Sequence, residues 1–190
     1  MSQPADMKLT LQEYLEWEER QERRHELVHG FLTLAMSGGT DRHDLVVARV
    51  AQLLSNALEQ GPCRVYPHNR RLKVGDDTIR YPDLQVVCGR RADRHFEDAP
   101  GFILEVLSPS TGKTDVAEKV VEYRSIPSVQ QYAIMHPDVR QVDVDTRHDL
   151  GWEQRRVTGG TFTFAGVELD LDQIYDFVDR KEHAAGPPPA

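Results

Sequence analysis

Apolar positions along this chain change period from element to element, and the changes mark its architecture. Leu11, Tyr14, Leu15 and Trp17 recur at helical spacing. They follow Thr10-Leu-Gln-Glu13, a capping box in which the Thr hydroxyl and the Glu carboxylate each accept the other residue's backbone N–H. The charged run from Glu18 to Arg24 ends that helix. Glu26 to Ala35 reads as a β-hairpin turning near His29-Gly30, since Gly accepts the backbone of a tight turn without steric cost. Ser37 to Thr40 is a loop and Asp41 stands as a helix cap. From His43 to Gln60, Leu45, Val46, Val50, Leu53, Leu54 and Leu58 keep helical spacing until Gly61-Pro62 stops them.

Strand patterns follow. Arg64 to Val74 and Ile79 to Cys88 read as an antiparallel pair turning at Gly75-Asp-Asp77. Gly89 to Pro100 is a polar loop. Gly101 to Leu107 is apolar on both faces, the mark of a central strand, and Ser108-Pro-Ser-Thr111 breaks it. Asp115 to Ser125 is a helix, Val129 to Met135 a buried strand, and His136-Pro-Asp138 a turn. Gln141 to Thr146, Trp152 to Val157 and Thr161 to Phe164 read as a β-meander with a Gly159-Gly160 turn, and Leu171 to Val178 as a short helix. This order predicts an α/β (α+β) fold, a mixed sheet flanked by helices with extra C-terminal strands. Residues 8–180 form one domain in this reading, and 181–190, ending in Gly186-Pro-Pro-Pro189, a flexible tail.

Composition narrows the function. Apolar residues are 39% of the 190, enough for a core. The net charge of -8 counts against strong non-specific grip on nucleic acid, which depends on Lys and Arg neutralising phosphates; a small basic cleft stays compatible with it. Arg64, Arg70, Arg71 and Lys73, and then Arg90, Arg91 and Arg94, are expected as solvated surface. Cys63 and Cys88 lie beside strand-like runs outside any Cys-x-x-Cys spacing, and are expected as buried free thiols. No charged-then-apolar leader opens the chain and no apolar run nears the roughly 18 residues of a membrane span, so a cytoplasmic protein without membrane contact is expected.

The most informative residues are two acids inside apolar runs: Asp83 in Arg80-Tyr-Pro-Asp-Leu-Gln-Val-Val87 and Glu105 in Phe102-Ile-Leu-Glu-Val-Leu107. Folding desolvates such groups, at several kcal/mol unless a cation or proton compensates. Two acids on neighbouring strands offer the hard oxygen ligands that Mg2+ or Mn2+ takes. Asp83 and Gln85 share a strand face by periodicity, which makes Gln85 a secondary candidate. Asp115, Lys119 and Tyr123, four apart, share a helix face, from which the Lys119 amine could stabilise charge developing on a phosphoryl group.

The order Pro82-Asp83, then Glu105-x-Leu107 on a later strand, resembles the PD-(D/E)XK nuclease superfamily. Four segments resemble, more specifically, the Uma family of candidate bacterial restriction endonucleases. They are His25-Glu-Leu-Val-His-Gly30, Tyr81-Pro-Asp-Leu-Gln-Val-Val87, Leu104-Glu-Val-Leu-Ser-Pro-Ser-Thr111, and Asp115-x3-Lys119-x3-Tyr123 with Val129-x2-Tyr132. The resemblance implies a restriction-endonuclease-like fold and a metal-dependent endonuclease acting on DNA. It implies Asp83 and Glu105 as metal ligands and Lys119 as the third catalytic residue, with Glu26 and His43 as secondary candidates. The superfamily places Lys two residues after the acid; here that slot holds Leu107, and the Uma-like pattern moves the amine to Lys119 on the helix.

Two other readings compete. His25-Glu26-Leu-Val-His29 matches the H-E-x-x-H pattern of zinc peptidases, which needs both imidazoles on one helix face; in a strand they would stand about 13 Å apart at roughly 3.3 Å per residue. A non-catalytic binding module on the same fold is the other. Because cutting both strands of a duplex needs two sites, a homodimer is expected, with Trp152, Phe162 and Phe164 as candidates for the contact.

Overall fold

The computed structural model describes residues 8–35, 39–89, 93–108 and 113–185, with backbone alone for 113–115 and 185. Its elements run α1 (Leu11–Glu18), β1 (His25–Val28), β2 (Phe31–Leu34), α2 (Asp41–Leu58), β3 (Cys63–Pro67), β4 (Arg71–Val74), β5 (Thr78–Arg80), β6 (Leu84–Cys88), β7 (Phe96–Glu97) and β8 (Phe102–Val106). They continue with α3 (Lys113–Ser125), β9 (Gln131–His136), β10 (Gln141–His148), β11 (Gly151–Val157), β12 (Thr161–Phe164), β13 (Val167–Asp170) and α4 (Leu171–Ala185). The expected mixed α+β architecture is present. α1 starts on the Thr10 capping box. α2 is capped by Thr40, whose hydroxyl accepts from the His43 N–H at 3.2 Å, one residue earlier than the expected Asp41.

A six-stranded sheet, ordered β11-β10-β9-β8-β6-β3, carries the core. Leu84, Val86, Leu104, Val106, Ala133 and Met135 face α2 and α4. Ile103, Tyr132 and Ile134 face α3 and β4 on the other side. Along β8, therefore, Leu104 and Val106 enter one core and Ile103 the other, which puts Glu105 on the α3 side by alternation.

The antiparallel pair expected over 64–88 is split between two sheets. β4 and β5 form a hairpin in a five-stranded sheet, β2-β1-β5-β4-β7, while β3 and β6 pair in the main sheet. The chain crosses between sheets twice, at 68–70 and at 81–83. The loop expected over 89–100 contributes β7, parallel to β4. β10 and β11 extend the main sheet, whereas β12 turns away to pair with β13. α4 runs on through Ala185, into the stretch expected to be tail, and Glu182 in it pairs with Arg42; 186–190 lie outside the described residues.

Several surface expectations are corrected. Phe162 and Phe164 are buried in the main core, and Trp152 packs in the second core under Arg124 and Arg147. They cover the sheet instead of offering a dimer contact. Arg70 is largely enclosed, bound to Glu97 and to three backbone carbonyls, and Arg71 donates to the Tyr81 hydroxyl at 2.8 Å. Arg90 and Arg91 lie outside the described residues.

Cys63 and Cys88 are neither free nor buried. The β3–β6 register sets them directly opposite one another, and they form a disulfide, with Cys88 exposed. The spacing rules applied to the sequence do not see a bridge made by strand pairing. The bond closes a 25-residue separation, for which loop entropy gives about 3 kcal/mol of stability. The Cys63→Ser, Cys88→Ser double variant is expected to lose about that much in urea denaturation, and an unchanged midpoint would show that the bridge does not stabilise the fold.

Candidate active site

The β6–β8 register fixes the centre of the site. Leu84 pairs with Leu104 and Gln85 with Ile103. One step further along the same antiparallel ladder, Asp83 stands across from Glu105, on the same face. The Val106 N–H reaches back to Asp83 Oδ2 at 2.8 Å, closing that end of the ladder. Across this face lies α3, whose Tyr123 hydroxyl donates to Glu105 Oε1 at 2.8 Å and whose Lys119 Nζ is 3.3 Å from the same oxygen. The Asp115-Lys119-Tyr123 spacing thus delivers two of its residues to Glu105; the Asp115 side chain, and residues 109–111 of the Ser-Pro-Ser-Thr string, lie outside the described parts.

Glu105 is nearly enclosed, 8% exposed. Burial pushes its carboxyl up to about 7; the Lys119 charge works against this, and the charges of Asp83 and Glu26 add to it. Asp83 moves the opposite way. Burial would raise it, but the His43 imidazole, the Val106 N–H and His68 together hold it below the usual carboxylate range. His43, in the first turn of α2, sits with Nε2 3.2 Å from Asp83 Oδ2 and Nδ1 3.0 Å from Asp44 Oδ1. Burial would lower its pKa, but the two carboxylates overcome that and raise it to about 9, so His43 is an imidazolium at neutral pH and a fixed positive charge beside Asp83.

Glu26 on β1 completes the group through a buried ion cluster. Arg80, 2% exposed, donates to Glu26 Oε2 at 2.8 Å and to both oxygens of Glu122 at 2.7 and 2.8 Å. The Tyr81 N–H holds Glu26 Oε1 at 3.1 Å. The cluster ties β1, β5 and α3 together beneath the site.

A cleft of about 770 Å³ is lined by Glu26, His43, Asp83, Glu105 and Lys119 together. These five sequence candidates converge. Gln85 does not: it is fully buried and donates to the Arg70 carbonyl at 2.8 Å, away from the cleft lining. It shares the Asp83 strand face as expected but lies one pair further into the sheet, under the β3–β4 connection. His68 and Asn69 line the cleft without having been singled out in the sequence, and Tyr81, which opens one of the quoted segments, lines it too. Nothing local marks His68 and Asn69, because a sheet crossing places them there.

The zinc-peptidase pattern is dismantled by the backbone. His25–Val28 is a strand, and His29, at φ 52, forms the hairpin turn with Gly30. His25 Nδ1 binds Glu18 Oε2 at 3.2 Å, and Glu26 binds Arg80. The extended hairpin expected over 26–35 is present. Among the described residues no group of three or more His, Cys, Asp or Glu side chains could hold a metal ion. The pair Asp83 and Glu105 fits a different demand, that of a hard divalent cation held by one or two carboxylates and completed by water and substrate oxygens.

Residues 11–172 match the model of the Uma2 family, described as "Putative restriction endonuclease". The chain belongs to that family. Among curated proteins it is 33% identical to slr1290 of Synechocystis sp., over 76% of this chain and 77% of that one. It is 27% identical to sll1609 of the same organism, over 67% and 74%. Both relatives carry the description "uncharacterized protein". A crystal structure from Anabaena variabilis, described as a putative nuclease belonging to DUF820, superposes with a TM-score of 0.72 at 17% identity, covering 90% of this chain and 99% of that one. At that identity the likeness shows a shared fold. Among the described residues no helix is long and apolar enough to cross a membrane.

Two outcomes follow from the charge arrangement. Arg80→Ala strands two buried carboxylates, and is expected to cost about 3–5 kcal/mol in chemical denaturation; a loss under 1 kcal/mol, taking the lower bound as about 1, would mean that the cluster is solvated. In metal-free protein the folded state holds the Glu105 proton more tightly than the unfolded chain does, so stability falls as pH rises from 4.5 to about 7. Glu105→Gln removes this part of the slope; parallel stability–pH curves for the two proteins would refute the raised carboxyl.

Proposed function

We propose that the protein is a metal-dependent phosphodiesterase acting on DNA, an endonuclease of restriction type. The observation that carries the reading is the convergence of Asp83, bound by the Val106 N–H, and Glu105 in one cleft, with Lys119 Nζ 3.3 Å from Glu105 Oε1. Family membership supports a nuclease-like function.

Asp83 and Glu105 would hold Mg2+ or Mn2+. When bound, the ion supplies positive charge at the phosphoryl oxygens and acidifies a water. The chain's own residues do the rest. Tyr123 fixes the Glu105 carboxylate, so its orientation does not depend on the cation. His43 and the Val106 N–H fix Asp83 in the same way. Lys119 stands where its ammonium can meet negative charge developing on the phosphoryl group, or orient the attacking water. It takes the part that a lysine at position 107 would play. Leu107 instead packs against the second core. Two clefts in a homodimer would act on the two strands of one duplex.

The full chain incubated with plasmid DNA is expected to cut with Mg2+ or Mn2+ and to stop on chelation. Asp83→Asn and Glu105→Gln should each abolish cutting while melting as folded proteins. Lys119→Ala should lower kcat about a hundredfold, with metal affinity nearly unchanged. Cutting that survives chelation or both carboxamide variants would sink the metal mechanism. DNA binding without cutting under any divalent metal would favour the non-catalytic binding module.

A further inference from the structure

The 68–70 crossing between the two sheets is built in an unusual way. His68 and Asn69 adopt left-handed backbone in succession, with φ 44 and 59. For side-chain-bearing residues that conformation costs energy, and it is retained where surrounding structure enforces it. Here the enforcement is extensive. The His68 N–H donates to the Asp83 carbonyl at 2.8 Å and the Arg70 N–H to the His68 carbonyl at 2.6 Å. The Arg70 side chain reaches the carbonyls of Asp93, Arg94 and Phe96 and the Glu97 carboxylate. Gln85 holds the Arg70 carbonyl from below.

Apart from the His68 charge acting on Asp83 at a distance, the side chains so displayed are not tied into the fold by side-chain hydrogen bonds. Among the described residues neither the His68 ring nor the Asn69 amide makes a hydrogen bond; the nearest approach is His68 Nδ1 to Asp83 Oδ1 at 3.7 Å, too long for one. Both side chains line the cleft. The His68 ring lies 6.4 Å from that of His43. It also forms the wall between the cleft and a shallower depression of about 360 Å³ between α2 and β3, lined by Ala48, Ala51, Ser55 and Pro67. If the crossing needed only its turn geometry, Gly at 68 would serve without strain.

We propose that His68 and Asn69 are substrate-binding residues that grip the phosphodiester chain beside the scissile phosphate, their imidazole and amide N–H groups donating to non-bridging phosphate oxygens of the flanking nucleotide. This rests on the phosphodiesterase reading of the cleft. It assigns the turn to substrate binding, leaves the chemistry to Asp83, Glu105 and Lys119, and makes Arg70 and Gln85 positioning residues beneath it.

The test compares His68→Gly and Asn69→Ala with the unmodified chain. Binding of a fluorescein-labelled 20-nucleotide DNA, single-stranded and duplex, is followed by anisotropy in chelator, and cleavage of the same probes with Mg2+. The expected result is a Kd and KM raised about tenfold, the loss of one or two charge-assisted hydrogen bonds. kcat should stay within about threefold, and the melting temperature of His68→Gly should be unchanged or higher, because the backbone strain is released. Binding as tight as that of the unmodified chain overturns the proposal and leaves the nuclease reading standing. A fall in kcat at constant KM, or a marked drop in melting temperature, also overturns it, in favour of a catalytic or purely structural turn. Failure of the unmodified chain to bind or cut either DNA probe with Mg2+ or Mn2+ present refutes the phosphodiesterase reading, and this assignment with it.

Discussion

The antiparallel pairing of β6 with β8 is the constraint on which the site depends. Leu84 against Leu104 and Gln85 against Ile103 fix which residue faces which. Side chains alternate along a strand, so a slip of one residue would turn Glu105 into the apolar layer under α2 and α4 and bring a leucine into the cleft. That slip is strongly opposed. Leu84, Val86, Leu104 and Val106 all fill one core, and burying a Leu or Val side chain is worth about 1.5–3 kcal/mol. The apolar residues around each acid therefore hold the register that sets the acids opposite one another.

Placing carboxylates there has an electrostatic cost, and the surrounding charges are arranged to meet it. Glu105 has Lys119, Asp83 has the His43 imidazolium, and Glu26 has Arg80. Each acid thus has a partner of opposite sign from a different element. The solutions differ in kind. Asp83 is held ionised. Glu105 has its carboxyl raised to about 7, which shows that one lysine only partly offsets its burial. Added positive charge beside Glu105 would lower its carboxyl further.

Much of this is legible in the sequence, and the boundary has a physical explanation. Glu105 stands out because an acid among Ile, Leu and Val is a local pattern, whereas Asp83, after Pro82, and Lys119, four residues before Tyr123, gain their weight from the segments that resemble the Uma family. The 26–35 hairpin was readable from Gly30 and the apolar alternation after it. The disulfide, the two-sheet split of 63–88 and the cleft position of His68 were not, since each depends on which strands meet in space. Arg70 shows the limit well: as one of a run of basic residues it reads as surface, yet it is enclosed because the segment 93–97, ending in β7 beside β4, returns over it and offers it three carbonyls.

With Lys119 on α3 and Leu107 at the end of the strand, the amine depends on how the helix is seated. At position 107 it would be carried by the strand that carries Glu105, and the two would move together. At 119 it belongs to α3, whose placement rests on contacts of its own. Arg124 binds Asp145 on β10 at 2.6 Å, and Glu122 binds Arg80 on β5. Tyr123 and Ile126 enter the second core. The residue at 107 can then be apolar, and Leu107 packs against the same second core that Val116 and Val120 of α3 pack against. The same face of α3 supplies Tyr123 to Glu105 and Glu122 to the Arg80 cluster. Seating this helix therefore sets the geometry of the lysine, the orientation of one carboxylate and the balance of the buried ion group together, so the three are expected to be lost or kept as a unit.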